Sequence, residues 1–474
     1  MTHFIFSLRH RDRRLSSSAP GFALVVVIWL IMLSFWMIWP ADFPIRMPDT
    51  TSYTRFDPYR GAGYPFFLWL TQIFDLTDDT IIFIQLGLFF SALLYLALTI
   101  FRRLQSTIAA IAVLFGIGGN PLLVQYCFSL ITESLFFTSL MLIAAIVHTP
   151  SLLKSRWRLA GIGGLMAWLI LIKPVAWAFI GIPIILGVQL LLTKNLRYFT
   201  AFLAGIIIMF ACGSAYRFHV HQQWLPGSFL GNQLIGKLAF SEFDPQQTPF
   251  PEGATHFHNV MAQAVSVRNE RVPDFAMRFI YSLNIYDYLR FGKTSEILER
   301  ENLEPAQHGP ALTALSFSII KQSPLDYLEE IAMSWYGLWF FGELQSAQFA
   351  ANYTQLTNEL KSSLPKGIQL YQLSGQNTIP LVVIKTFLAL SFAINIILLL
   401  YALFTLLRGR PINDSLLGAT ILALMVQGYL LLTALLQAGL IRYAIAAWPL
   451  HIVVFVVVAI WTIDHQQKKA QAKQ

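Results

Sequence analysis

Apolar runs of about twenty residues recur along this chain between short polar stretches. That is the length of helix that crosses a hydrocarbon core about 30 Å thick. The pattern predicts an all-α polytopic membrane protein with spans at about 22–39, 80–101, 105–119, 132–148, 158–172, 175–193, 198–215, 379–405, 415–437 and 443–462. The third and fifth spans end at Asn120-Pro121 and Lys173-Pro174, because proline removes a helix donor and disfavours helix just before it. Without those two breaks the count falls from ten spans to eight, with both termini still on the same side.

The long interval 216–378 is too polar to cross, yet it carries Trp224, Phe229, Tyr281, Tyr286, Trp335 and Trp339, so it reads as a folded loop region. Two shorter apolar stretches, 64–76 and 327–344, fit amphipathic helices lying in the membrane surface. The chain thus divides into an N-terminal transmembrane part (1–215), the large loop region (216–378) and C-terminal helices with a basic tail (379–474).

Composition agrees with this picture, at 56% hydrophobic and only 12% charged residues. The net charge of +8 could point to nucleic acid, but its distribution argues against that partner. Residues 216–378 hold 15 acidic and 11 basic side chains, so the basic excess lies in the short loops, where it sets orientation. Clusters at Arg9 to Arg14, Arg102-Arg103, Lys154 to Arg158, Lys194 and Arg197, Arg408 and Arg410, and Lys468 to Lys473 mark the cytoplasmic side. Even numbers of spans between them put both termini inside. The segment from Phe22 to Trp39 lacks a cleavage signal and reads as an uncleaved anchor. Cys127 and Cys212 are too few for a disulfide framework.

On this topology several charged residues gather on the outer face. The loop Arg46-Met-Pro-Asp49-Thr-Thr-Ser-Tyr53-Thr-Arg55 follows the first span, and Gly61-Ala-Gly-Tyr64-Pro65 closes it. Asp49 alone reads equally as an ordinary turn residue. Eleven of the twelve glutamates lie in 216–378, and the twelfth, Glu133, opens the fourth span. A carboxylate there either favours the helix dipole or faces a cavity or partner. Lys173 fits interfacial snorkelling or a role in the same cavity. Arg442, outward against the basic trend, carries a fixed five-donor cation suited to phosphate, and Lys385 is a weaker candidate of the same kind. The pairs His219/His221 and His256/His258 lack a clear third ligand, so no metal site is expected.

At these positions the chain resembles the GT-C superfamily of integral-membrane glycosyltransferases, which includes the protein mannosyltransferase and aminoarabinose transferase families. The resemblance rests on Asp49 with Tyr53 and Gly63-Tyr64-Pro65, on Pro121 and Tyr126 leading to Thr132-Glu133, and on Arg442-Tyr443 with Pro449. It covers both ends of the chain and leaves 216–378 without a counterpart. It implies inverting transfer of a sugar from a polyprenyl-phosphate donor to a lipid or glycan acceptor, at the periplasmic face of a bacterial inner membrane. In that scheme Asp49 is the general base and Glu133 orients the acceptor or helps hold a divalent ion. Arg442, Lys173 and Lys385 bind the donor phosphate, and Tyr53, Arg55, Tyr64 and Tyr443 position substrate. The first-loop motif departs from the family's double-acidic form, since Pro48 and Thr50 flank Asp49, so no metal or other cofactor is expected. A polymerase or ligase of lipid-linked O-antigen, or a transporter of a lipid-linked glycan, are the alternative readings.

Overall fold

The structure is a computed structural model and describes residues 19–38, 45–149, 152, 155–226, 230–272, 274–360, 368 and 378–471. The basic residues Arg9 to Arg14, Lys154 and Lys473 and the aromatic Phe229 lie outside the described residues. Two compact units form: Met1–Pro226 with Ala393–Tyr429 and Ile445–Gln474, and Gly227–Phe392 with Leu430–Ala444. Among the described residues the only strand-like pairing is one parallel bridge between Ile45 and Ser129.

This is an all-α membrane protein. Seven of the described helices are long and apolar enough to cross a bilayer, or eight if the pair Thr107–Gly118 and Pro121–Phe128, bent by 53°, is one span. All ten apolar stretches fall on helix. The last begins later than its hydrophobicity predicts, at Trp448, because residues 441–446 form a separate short helix.

In the first unit the helices that carry the argument are α1 (Ala19–Ile38), α2 (Thr50–Thr54), α3 (Gly63–Ile73), α4 (Asp78–Leu104), α5 (Thr107–Gly118), α6 (Glu133–Val147), α7 (Arg156–Ile172), α8 (Gly181–Leu192) and α9 (Phe199–His221). α4 shows why these residues form a helix. Thr77 caps it by accepting from the Thr80 amide, Asp78 and Asp79 sit in its first turn, and Arg102 and Arg103 in its last, each charge opposing the helix dipole. At 27 residues it is about 40 Å long.

Its two ends define two poles of the unit. At the first, Arg46 Nη2 lies 3.1 Å from Asp78 Oδ2. At the second, Arg103 Nη2 donates to the Asp414 carbonyl at 2.6 Å. Gln189 of α8 exchanges two bonds with the main chain of Ile412 there. The clusters 102–103, 194–197 and 408–410 therefore share the second pole, while the loop holding Asp49 stands at the first.

α7 and α9 pack backbone to backbone. A Cβ on Gly163 would strike the Phe202 carbonyl, and one on Gly205 the Ala160 carbonyl. Small residues at such a contact are the usual route to helix association in lipid, where no hydrophobic drive exists between helices. The consequence for the site is positional: α7 ends at Lys173, and α9 carries Arg217.

The second unit contains α10 (Leu230–Lys237), α11 (Pro251–Arg271), α12 (Phe275–Asp287) and α13 (Pro324–Phe340) around a core that includes Ile235, Phe257, Met261, Tyr281, Ile285 and Leu315. A charge cluster lies within it. Lys237 Nζ donates to Ser334 Oγ at 2.6 Å, and Arg268 Nη2 lies 3.1 Å from both Glu329 and Glu330. Burial pushes the Lys237 amine down and the Glu330 carboxyl up. Each is held by partners, as buried charges must be.

Candidate functional site

The first outer loop is shaped by one reversal. Phe56, at φ +51, turns the chain in the left-handed region, which costs a bulky residue about 1–2 kcal/mol. Its ring offsets this by stacking on Tyr216 of α9 at 5.4 Å and meeting His221 edge-on at 4.5 Å. The reversal brings Arg60 back onto Asp49.

Asp49 stands at the N-cap position of α2 but does not cap it with its side chain. Arg60 Nη2 donates to its Oδ1 at 2.6 Å instead. The same guanidinium donates from Nε to Ser52 Oγ at 2.8 Å and from Nη1 to the Tyr53 hydroxyl at 3.2 Å, and it covers the Tyr53 ring at 4.4 Å. Both members of the pair remain reachable from solvent, Arg60 at 22% and Asp49 at 29% side-chain exposure.

Behind Tyr53 lies a second ion pair. Lys173 Nζ donates to Glu133 Oε1 at 2.9 Å, and Thr132 Oγ1 donates to Glu133 Oε2 at 3.1 Å. Glu133 is fully buried and Lys173 nearly so. The Tyr53 phenol is pushed up to about 12 by burial, and by the carboxylates of Glu133 and Asp49, against the opposing pull of Arg60 and Thr132. It is a proton donor at neutral pH and sits between the two pairs.

Three contacts fix this arrangement. Tyr64 packs edge-on to Tyr53 at 5.6 Å and donates to Gln85 Oε1 at 3.0 Å, and Gln85 of α4 donates in turn to the Ser129 carbonyl at 3.1 Å. The Ile45 amide donates to the Phe128 carbonyl at 2.9 Å, tying the loop to the turn before α6. Arg217 of α9, itself buried, donates to the carbonyls of Pro58 and Arg60.

Asp49, Tyr53, Tyr64, Glu133 and Lys173 are thus brought together in the first unit. Arg55 is exposed, and it is Arg60 that stands beside Asp49. Tyr64 is buried and supports Tyr53 from behind. Arg442, Tyr443 and Lys385 belong to the second unit. There Arg442 lies 5.8 Å from the Tyr443 ring, Lys385 Nζ donates to Gln345 Oε1 at 3.3 Å, and the Ile441 amide donates to Glu343 Oε2 at 3.2 Å.

Sequence reading missed Arg60, Thr132's partnership with Tyr53, Gln85 and Arg217. Gln85 and Arg217 carried a visible signal, as polar residues inside apolar helices. Arg60 carried none beyond its place in the loop. Among the described residues no three His, Cys, Asp or Glu gather as a metal site; His256 faces Glu296 at 3.4 Å and His258 meets Phe243 edge-on.

Chemically, the site offers one accessible carboxylate with an accessible guanidinium, a neutral phenol, and a sealed ion pair that fixes the local field. Accessible ion pairs are worth about 1 kcal/mol or less, whereas breaking a buried pair by removing one member costs about 3–5 kcal/mol. Asp49–Arg60 is therefore the more exposed pair, and Glu133–Lys173 the one that costs more to break. Comparison with known protein families, curated proteins and solved structures finds no match to this chain.

Proposed function

We propose that this protein is an inverting membrane glycosyltransferase of the GT-C type, moving a sugar from a polyprenyl-phosphate donor to a hydroxyl of a lipid or glycan. The observation that carries the reading is the accessible Asp49 carboxylate set against an accessible arginine at 2.6 Å. A base and a phosphate-binding cation side by side are what such a transfer needs. The acceptor oxygen bonds to the anomeric carbon as the bond from that carbon to the phosphate oxygen breaks. The acceptor proton passes to Asp49, and the lipid phosphate departs as an anion. A phosphate leaves without acid assistance, so one carboxylate suffices, unlike the pair of a glycosidase.

The roles differ from those expected in one respect. Lys173 is engaged by Glu133, so the cation for the leaving phosphate in this unit is Arg60. Glu133 and Lys173 form a closed ion pair behind Tyr53. The basic pole of the first unit supports the orientation: basic clusters mark the cytoplasmic side of a bacterial inner membrane, which puts Asp49 outside. The ten-span topology with both termini inside belongs to the same reading, as does transfer without a metal.

The test is mass spectrometry of surface glycolipids and polysaccharide from cells carrying the intact protein or Asp49→Asn at equal expression. Loss of one sugar mass from one glycan class, with its lipid-phosphate donor accumulating, is the expected result. An unchanged glycan profile overturns the reading, and altered chain length alone points to a polymerase.

A further inference from the structure

The second unit holds a cleft that the site in the first unit does not use. It encloses about 470 Å³, within the range of small-molecule sites, and is lined by α11 and the stretch 239–243. Phe257, His258, Met261, Ala262 and Ser266 recur at helical spacing, so they share the face of α11 that forms one wall. Ser241, Glu242 and Phe243 belong to the other.

Neighbouring residues hold that second wall in place. The Glu242 amide donates to Asp326 Oδ2 at 2.9 Å, and the Asp244 amide donates to Gln322 Oε1 at 2.9 Å. The Phe243 ring stacks on Phe257 at 5.8 Å and meets His258 edge-on at 5.7 Å. The cleft is therefore preformed, and a ligand entering it has little of the protein to order.

Its chemistry is divided between floor and rim. The floor is apolar, made by the buried Phe257 and Met261. Glu242, His258 and Ser266 are exposed and stand at the rim. The Ser266 hydroxyl donates to Glu270 at 2.8 Å and keeps its lone pairs as acceptors. Ser241 is 7% exposed, and its hydroxyl has no hydrogen-bond partner among the described residues. A buried hydroxyl without a partner is destabilising, and a ligand that bonds to it removes that cost.

Ligand classes differ in how they meet this lining. No lysine or arginine is among the described residues that line the cleft, so a phosphate would face Glu242 without a counter-ion. A hydrocarbon chain would cover the floor, but it would strip water from Glu242 and leave Ser241 unpaired. A sugar ring matches both parts. Its C–H faces suit the floor, and the hydroxyls at its edge donate to Glu242 and exchange hydrogen bonds with His258 and Ser266. From this we infer that the second unit carries a binding site for an uncharged saccharide of one or two rings. The site does not depend on the transferase reading, whose base and ion pairs lie in the first unit.

The experiment is saturation-transfer NMR on the full-length protein in nanodiscs, where no sugar-headed detergent competes. The probes are the methyl glycosides of glucose, galactose, mannose and N-acetylglucosamine, with spermidine as the cationic comparison. At least one glycoside is expected to bind the wild type. Ala262 is exposed, so Ala262→Trp places a ring in the cleft without entering the core, and it abolishes the signal. Glu242→Ala weakens binding by about tenfold, as expected for loss of a charged acceptor. Equal melting temperatures of the three forms separate loss of binding from loss of fold.

Wild-type protein that binds none of the four glycosides overturns the inference, and spermidine binding that Ala262→Trp removes would then make the cleft a cation site. Glycoside binding that survives Ala262→Trp overturns it as well, because the sugar then sits elsewhere.

Discussion

Lys173 Nζ stands 2.9 Å from Glu133 Oε1, and both side chains are closed off from solvent. The two residues are forty positions apart, and they meet because Lys173 ends α7 where Glu133 begins α6. Removing either member leaves the other charge buried without its counter-ion. Glu133→Gln or Lys173→Met is expected to lower unfolding stability by about 3–5 kcal/mol, and the double variant to lose less than the sum of the two. Thermal unfolding of the purified protein in detergent measures this. Strictly additive losses would show that the pair is not energetically coupled.

The apolar helices, the proline breaks and the charged residues Asp49, Glu133 and Lys173 were legible because each depends on local chemistry. Asn120 accepts from the Leu122 amide to cap the turn begun by Pro121, and Lys173 precedes the turn begun by Pro174, as proline's missing donor requires. Asp49, Glu133 and Lys173 stood out as charges at the edges of apolar runs. Arg60 did not, since its partnership depends on the reversal at Phe56, which is stabilised by rings on α9, some 160 residues away. Arg55 lies nearer Asp49 in sequence, but the turn carries it outward. The start of the last long helix was misplaced for a related reason: 441–446 is helical and partly apolar, and only the break at Ala447 separates it from the span.

Gly61 tests how tightly the loop must sit. A Cβ there would collide with the Leu171 carbonyl two residues before Lys173, and backbone cannot yield as a side chain does. Gly61→Ala is expected to cost about 1–3 kcal/mol and to displace Arg60, which follows in the loss of phosphate binding. Gly87, on α4, has nothing within 4 Å of the same construction. Gly87→Ala should leave stability unchanged or slightly raised, which makes it the control for the unfolding measurement.

Arg217 holds the loop from the opposite side through the carbonyls of Pro58 and Arg60. Hydrogen bonds from a charged donor are worth about 1.5–3 kcal/mol each, so losing both loosens the loop. Arg217→Met should raise hydrogen exchange at the Asp57 and Arg60 amides, which donate within this turn, while leaving the amides of α4 protected. Exchange that rises everywhere would mean that Arg217 supports the whole unit and not the loop alone.

Glu343, in the second unit, gives the stability of this protein a pH dependence whose sign is fixed. Burial raises its carboxyl from the model-peptide 4.5 to about 7, with Asp287 adding to the effect and the Ile441 amide opposing it. A carboxyl raised in the folded state prefers to be protonated there. Its contribution is complete below about 4.5 and is lost as the pH rises through about 7, at most about 3 kcal/mol across that window. Glu343→Gln removes the titration and keeps an acceptor for the Ile441 amide. Between about pH 5 and about pH 8, the melting temperature of the wild type should therefore fall relative to that of Glu343→Gln. Parallel curves would show that the carboxyl is not held protonated by the fold. A wild-type curve that rises with pH against the variant would mean the group is paired with a cation and depressed, and Arg442, one residue beyond its amide partner, is the side chain in which to look for that pairing.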